Sequence, residues 1–187
     1  MLILVNTNGM RPPIAPIGLE YVAAAVRQAG TGVSVIDLGL ADDQEAALRS
    51  GFAGSQPRLV GLSFRNADDS FWPSTAWFVP QLTRTVGLIR GLTDAPVVLG
   101  GCGFSIFAER LVEHTGADFG IRGDGELAII SLLGELIGQR RFDRVGGLLW
   151  RHNGRIISNA PAWADIFAAP ATRDIVDDPT SPTSGLD

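Results

Sequence analysis

Strand-like and helix-like segments alternate five times along the first three quarters of this chain of 187 residues. The strand-like runs are residues 2–5, 33–37, 58–63, 95–99 and 118–121. Runs such as 2–5 and 97–99 are continuously apolar, as expected of strands that are buried on both faces. Repeated β-α alternation with right-handed crossovers leaves few arrangements. The sequence therefore predicts an α/β fold, a doubly wound five-stranded parallel sheet of the Rossmann-like type.

The helical segments show apolar residues at the spacing of one helix face. They are residues 17–28, 43–52, a segment that begins near Pro80, residues 105–114 and a fifth helix after residue 126. The fifth has the strongest pattern, because its apolar residues all share one face: Ile129, Leu132, Leu133, Leu136 and Ile137. Five helices of this length are enough to cover both faces of the sheet.

The last part of the chain has a different pattern. Two short strand-like runs flank Asn153-Gly154, a dipeptide typical of two-residue β-hairpin turns. Beyond Asn159 the chain becomes rich in Pro, Ala and Asp. We therefore predict an α/β domain at residues 1–142, a C-terminal β-hairpin extension at 143–160 and a partly disordered linker or tail at 161–187.

Composition excludes several functions. The net charge of −5 disfavours binding to nucleic acid, because nucleic-acid-binding proteins usually have a basic patch. Neither a membrane-spanning apolar run nor a basic segment typical of a secretory signal is found, so we expect a cytoplasmic protein without a membrane partner. The single cysteine, Cys102, excludes an internal disulfide and cannot by itself hold an iron–sulfur cluster.

Ligands of doubly wound sheets bind beyond the carboxyl ends of the strands, so the loops there are candidates for a site. Gly100, Gly101 and Gly103 follow the fourth strand and let backbone approach a bulky or phosphate-bearing ligand. Ser105 is a candidate cap for the next helix. A glycine-rich tight turn without a ligand is about equally compatible, and the spacing matches neither the dinucleotide fingerprint nor the P-loop.

Two further loops carry charged residues. The segment 120–126 contains Asp124 and Glu126, for which capping of the following helix is the favoured role. Arg65 follows the third strand and would project into the ligand crevice, although a loop salt bridge with Asp68 or Asp69 is the favoured interpretation of this residue taken alone. We expect no catalytic residue and no metal ligand.

Cys102 has no base near it in this arrangement. Both histidines of the chain, His114 and His152, fall outside the loops at the carboxyl ends of the strands. Without such a base, a nucleophilic role for Cys102 is disfavoured, and the two histidines are most simply surface residues.

Four segments together resemble the N-terminal cobalamin-binding domain of the cobalamin-dependent radical S-adenosylmethionine enzymes of the class B methyltransferase type. They are residues 11–19 (RPPIAPIGL), 61–66 (GLSFRN), 98–101 (VLGG) and 120–126 (GIRGDGE), each after a predicted strand. The segment 147–161, which ends in Asn-Ala-Pro, is similar to the part that follows this domain in the family.

The resemblance implies that cobalamin lies across the carboxyl ends of the strands, with its nucleotide tail between the loops after strands four and five. The implied cofactor-binding residues are Pro13, Ile14, Ala15, Pro16, Ser63, Phe64, Arg65, Asn66, Gly100, Gly101, Cys102, Gly103, Phe104, Gly120, Ile121, Arg122, Gly123, Asp124, Gly125 and Glu126. Many cobalamin carriers ligate cobalt with a histidine of the loop after strand one, but residues 6–16 contain none. The resemblance therefore implies a base-off cofactor without a histidine ligand, and Arg65 is our candidate for the cation beneath the cobalt.

The family's cluster-binding cysteine motif is missing from this sequence. The resemblance thus implies a fragment, or a free-standing carrier that serves a separate radical S-adenosylmethionine chain, and no catalysis by this chain alone. S-adenosylmethionine and an iron–sulfur cluster would belong to that missing or partner domain of a methyltransferase. Two alternatives stay open: a flavodoxin-like protein that binds another phosphate-bearing ligand such as a flavin, and a degenerate domain that serves only as an interaction surface.

Overall fold

The computed structural model describes residues 1–71, 74 and 76–161. Its strands are β1 Leu2–Asn6, β2 Val33–Asp37, β3 Leu59–Ser63, β4 Val97–Gly100, β5 Phe119–Ile121, β6 Leu148–His152 and β7 Arg155–Ser158. Its helices are α1 Ile17–Gln28, α2 Gln44–Phe52, α3 Val79–Arg90, α4 Cys102–Ile106, α5 Ala108–Thr115 and α6 Glu126–Ile137. A short 3₁₀ turn, Phe142–Arg144, precedes β6.

The described strands form one sheet in the order β2-β1-β3-β4-β5-β6-β7. The first five are parallel, as the β-α alternation predicts, and the α/β fold class is confirmed. From β1 the chain moves to β2 on one side, and β3 then pairs with the other side of β1. The strand order therefore reverses between β1 and β3, which is where doubly wound sheets form a crevice for a ligand.

The helices lie on both faces of the sheet and bury two apolar clusters. Helices α2, α3, α4 and α5 pack on one face, where Phe64, Phe104 and Leu62 are almost completely buried. Helices α1 and α6 pack side by side on the other face, over Leu4, Val98 and neighbouring side chains. Successive side chains of a strand point to opposite faces, so each parallel strand contributes to both clusters.

The C-terminal hairpin continues the main sheet. Strand β6 pairs antiparallel with β5, and β7 pairs with β6. Asn153 and Gly154 turn the hairpin with φ of 48° and 76°, the left-handed pair that Asn-Gly favours. Val145, Leu148 and Leu149 are completely buried. The hairpin therefore covers the edge of β5 and makes a mixed seven-stranded sheet. The domain division stays a prediction, and residues 162–187 of the predicted tail lie outside the described residues.

The predicted helix at residues 105–114 is present as two helices instead of one. The chain becomes helical at Cys102, directly after β4, and the helix breaks at Phe107, whose φ and ψ are −127° and 34°. The early start is possible because Gly101 adopts a φ of 103°, which other residues rarely reach. Ser105 therefore lies inside the short helix α4 and does not cap the following one, which corrects the sequence-based expectation.

The helices are short. The longest of those described, α1, α3 and α6, have 12 residues each. No helix within the described ranges has both the length and the apolar character that crossing a bilayer requires. The cytoplasmic location stays a prediction.

Gly120→Ala should destabilise the fold, because Gly120 of β5 lies against the ring of Phe104. A Cβ at this position would be 2.3 Å from Phe104 Cζ and 2.9 Å from Val112 Cγ2. Overpacking of this kind costs about 1–3 kcal/mol. Urea unfolding should therefore give a lower free energy of unfolding for the variant.

Gly134→Ala is the matched control. Gly134 lies in α6, and a Cβ there would meet nothing within 4 Å. This variant should be neutral or more stable by up to about 1 kcal/mol, because alanine is the better helix former. Equal effects of the two substitutions would contradict the packing of Phe104 on Gly120.

Candidate cofactor-binding site

A cavity of about 820 Å³ opens at the carboxyl edge of the parallel strands. Asn6, Ser63 and Gly100 at the ends of β1, β3 and β4 line it, and residues of α1 and α6 form its other wall. The cavity therefore lies at the reversal of strand order, where the topology leads one to expect a ligand.

The loop after β1 is held to its neighbouring strands. The backbone N–H and the hydroxyl of Thr7 both donate to the carbonyl of Ser63, at 3.2 and 2.8 Å. The Asn6 amide donates to a carboxylate oxygen of Asp37 at 2.8 Å. These bonds fix the start of the loop that brings Ile14, Ala15 and Pro16 to the cavity, while Pro13 does not line it.

The loop after β3 exposes one cation beside the cavity. Arg65 lines the cavity, is exposed, and its side chain forms no ion pair or hydrogen bond with the described residues. Asp68 and Asp69, the alternative partners, instead accept hydrogen bonds from Ser70 and Ser74. The loop salt bridge considered for Arg65 is therefore not formed.

The glycines after β4 approach the chain itself rather than open space. A Cβ on Gly101 would be 2.7 Å from the Phe64 carbonyl oxygen, and one on Gly103 would be 2.7 Å from that of Arg65. A Cβ on Gly100 would meet only the Ile121 carbonyl oxygen, at 3.9 Å. Gly101 and Gly103 thus pack the β4 loop on the β3 loop, and Gly100 leaves room at the cavity.

Side chains of α4 and α5 form a hydrogen bond and an ion pair with the loop after β5. The Ser105 hydroxyl donates to the Gly101 carbonyl at 3.0 Å and accepts from the Gly123 N–H at 3.3 Å. Arg122 forms an ion pair with Glu109. Burial raises the pKa of Glu109, but hydrogen bonds from its own backbone N–H and from Arg122, with the charge of Arg122, hold it below its ordinary value.

Helix α6 begins at Glu126, and Gly125 is its N-cap residue, which has no side chain to cap the helix. Glu126 lies in the first turn, where a negative charge is favourable next to the helix dipole. The two acidic residues of this loop, Asp124 and Glu126, both line the cavity.

The structure brings most of the predicted site residues together around the cavity. Those that line it are Ile14, Ala15, Pro16, Ser63, Arg65, Gly100, Gly101, Cys102, Ile121, Arg122, Gly123, Asp124, Gly125 and Glu126. Those that do not are Pro13, Phe64, Asn66, Gly103, Phe104 and Gly120. Phe64, Gly103, Phe104 and Gly120 are buried in the protein interior. Contact of any of these residues with a ligand stays a prediction.

The inner part of the cavity was missed by the sequence analysis. We call it the slot; it lies between the sheet and helices α1 and α6 and is lined by Leu4, Leu19, Val22, Gly61, Val98 and Ile129. In the sequence these residues have the pattern of ordinary strand and helix cores. Two signals were available: Leu19, Gly61 and Val98 lie in the segments that carry the family resemblance. In addition, a glycine in the middle of a strand often marks the close approach of a ligand.

A doubly wound α/β domain with an open cavity at the switch point has the architecture in which such folds bind ligands. The family model described as "B12 binding domain" matches residues 5–133, more than half of the chain. The chain belongs to the B12-binding domain family.

Two similar proteins are larger enzymes. The chain is 37% identical over 172 residues to tryptophan 2-C-methyltransferase of Streptomyces laurentii, covering 90% of this chain and 29% of that protein. The solved radical S-adenosylmethionine methyltransferase TsrM of Kitasatospora setae, with cobalamin and a [4Fe-4S] cluster bound, superposes with a TM-score of 0.80 at 36% identity. That match covers 86% of this chain and 29% of TsrM. The chain therefore spans less than a third of either enzyme.

A more distant structure shares the fold alone. The cobalamin-dependent S-adenosylmethionine radical enzyme OxsB, solved with aqua-cobalamin and S-adenosylmethionine bound, is 18% identical and superposes with a TM-score of 0.71. The match covers 86% of this chain and 22% of OxsB. The fold is thus maintained where most of the sequence differs.

Glu109→Gln should lower the free energy of unfolding at pH 7 by less than about 1 kcal/mol, since the pair with Arg122 is partly exposed. The pKa of Glu109 is lowered by folding, so its contribution is present at neutral pH and is lost as the pH falls through that lowered pKa. The difference between wild type and variant should therefore become smaller in acid.

Urea unfolding at neutral pH and near pH 3 measures this difference. The lower pH is below the ordinary glutamate pKa of about 4.3. Glu113→Gln is the control, because Glu113 is exposed on the same helix and forms no ion pair among the described residues. If both variants follow the same pH profile, the pair with Arg122 does not stabilise the β5 loop.

Proposed function

We propose that this chain binds cobalamin across the carboxyl edge of its sheet and holds it for a methyltransferase. The observation that carries the proposal is the cavity at the β1–β3 switch point in a member of the B12-binding domain family. The family match favours this function over the flavin-type ligand and over a domain without a cofactor. When bound, cobalamin supplies a cobalt ion that can carry a methyl group through a cobalt–carbon bond.

The residues around the cavity fit a large cofactor with a long tail. The shallow part of the cavity is lined by Ile14, Ala15 and Pro16 after β1 and by Arg65 after β3, and these would face the corrin. Gly61 lines the slot without a side chain, and Leu4 Cδ2 lies 2.8 Å from the place that its Cβ would take. In the proposed complex the nucleotide tail enters the slot beside the loops after β4 and β5.

The topology supports a cobalamin without a histidine ligand. The two histidines of the chain are His114, in the last turn of α5, and His152, the last residue of β6. Helix α5 runs from the carboxyl edge of β4 back to the amino end of β5, and β6 is antiparallel to β5. Both histidines are therefore near the edge opposite the cavity, which is consistent with a base-off form.

We assign Arg65 to the position beneath the cobalt, as a positioning residue. Its guanidinium is exposed at the cavity and has no ion pair to the described residues, so its charge is available to a ligand. A cation there would disfavour an additional ligand on the lower face of the cobalt.

The complete system that this chain serves is proposed to be a radical S-adenosylmethionine methyltransferase. The similarity to part of tryptophan 2-C-methyltransferase and of TsrM supports this assignment. Cys102 is the only cysteine of the sequence and cannot hold a cluster alone. S-adenosylmethionine and the cluster would accordingly bind to another domain or to a separate chain, and this chain alone should not catalyse the reaction.

Hydroxocobalamin should co-elute with the purified chain in equimolar amount on gel filtration, with the visible spectrum of a base-off form that lacks histidine coordination. Flavin mononucleotide, tested in parallel, distinguishes the flavodoxin-like alternative. A colourless protein peak would contradict the proposed function, and a yellow peak with the flavin would favour the alternative.

Arg65→Ala should retain hydroxocobalamin but change its visible absorption spectrum, because loss of the cation lets a further ligand approach the cobalt. Arg65→Lys preserves a positive charge and should give a smaller change. Arg58→Ala is the control, since Arg58 precedes β3 at the opposite edge of the sheet. An unchanged spectrum in Arg65→Ala would exclude the assigned position.

A further inference from the structure

The slot is lined by apolar residues only. Its side chains come from β1, β4, α1 and α6, and they are Leu4, Val98, Leu19, Val22 and Ile129, with Gly61 of β3 between them. The charged residues of the cavity, such as Arg65 and Glu126, are instead at or beyond the ends of the strands. A group that enters the slot therefore leaves the polar part of the cavity behind.

Gly61 is the one residue of the slot without a side chain. The register pairs Leu4 with Gly61 and Gly61 with Val98, so the three residues form one row across the sheet. A Cβ on Gly61 would be 2.8 Å from Leu4 Cδ2, 3.5 Å from Ile129 Cδ1 and 3.7 Å from Val98 Cγ1. The row lies two residues below the last residues of β1, β3 and β4, roughly 7 Å into the sheet. The aliphatic side chains of Leu4, Ile129 and Val98 therefore surround the place of the missing side chain.

The backbone of the slot offers few hydrogen bonds. Strands β1, β3 and β4 pair in parallel through this row, so their N–H and C=O groups are engaged in the ladder. None of the slot side chains has a polar atom. A polar group buried there would lose its water without gaining a partner, which is unfavourable.

We infer that the slot selects cobamides by the polarity of their lower base, an inference that rests on the proposed function. Cobamides share one corrin and differ in the base at the end of the nucleotide tail. A benzimidazole base is largely apolar, whereas adenine carries an exocyclic amine and several ring nitrogens that need hydrogen bonds. The slot accepts the first and disfavours the second.

The expected preference for cobalamin over adeninylcobamide is at least about tenfold in Kd, equivalent to about 1.4 kcal/mol. Cobinamide, which has the corrin but no nucleotide, should also bind more weakly, because it leaves the slot unfilled. Both comparisons keep the corrin constant, so a difference reports on the nucleotide tail, including the release of its base from the cobalt that a base-off complex requires.

The test is equilibrium binding of the aquo or hydroxo forms of cobalamin, adeninylcobamide and cobinamide, followed by quenching of the chain's tryptophan fluorescence. Tight cobalamin binding with the stated preference supports the inference. Equal affinity for cobalamin and adeninylcobamide, or for cobalamin and cobinamide, overturns it while the proposed function stands. Failure of all three to bind overturns both.

Val98→Thr adds a hydroxyl to the slot at nearly constant shape and should reduce the preference for cobalamin over adeninylcobamide several-fold. Val97→Thr is the matched control: Val97 is the neighbouring residue, is equally buried and faces the other side of the sheet. It introduces the same hydroxyl into a core but should leave the affinity ratio unchanged. A ratio that changes equally in both variants contradicts selection by the slot.

Gly61→Ala tests whether the space itself admits the tail. Its Cβ should weaken cobalamin binding at least tenfold and cobinamide binding much less, since cobinamide does not enter the slot. Gly51→Ala is the control, because its Cβ would be 2.4 Å from Ile36 Cδ1, a similarly tight aliphatic contact away from the cavity. If Gly51→Ala weakens cobalamin as much as Gly61→Ala does, a general loss of stability explains the effect and the inference fails.

Discussion

The site depends first on the close packing of the loop after β4 on the loop after β3. The Phe64 N–H donates to the Gly100 carbonyl at 2.7 Å, and the Phe104 N–H donates to the Phe64 carbonyl at 3.0 Å. Both bonds require the backbone approach that only glycine permits at positions 101 and 103. This contact starts helix α4 directly at the end of the strand, and α4 in turn supplies Ser105 to the loop after β5. Three of the loops around the cavity are therefore positioned by these backbone hydrogen bonds together with the Ser105 side chain.

The two faces of the sheet have different tasks. The face under α2, α3 and α5 is tightly packed around Phe64 and Phe104, both almost completely buried. The face under α1 and α6 borders the slot, although its residues Leu4, Val98 and Ile129 are themselves buried. A ligand that binds in the slot of the folded chain would stabilise the folded state.

The sequence predicts the framework better than the site. Strand and helix periods identify the parallel sheet and its carboxyl edge, because burial on two faces imposes those patterns directly. The roles of individual residues follow from tertiary contacts that no local pattern encodes. Gly103 and Gly120 have the pattern of ligand-facing glycines. In the structure, however, Gly103 makes room for the backbone of Arg65, and Gly120 makes room for the ring of Phe104. Leu4 and Val98 conversely have the pattern of ordinary core and line the slot.

A domain that carries a reactive cofactor must bind it firmly without covering the reactive atom, and this chain divides the two requirements by depth. The slot is lined by apolar residues that are mostly buried, so affinity in the proposed complex comes from the tail, at roughly 25 cal/mol per Å² of apolar surface removed from water. The rim is open, and Arg65 and Cys102 there are exposed. Binding of the tail and access to the cobalt involve different parts of the cavity in the proposed complex. The affinity for the tail can therefore be increased or decreased at Gly61 or Val98 without altering the surface that faces the cobalt.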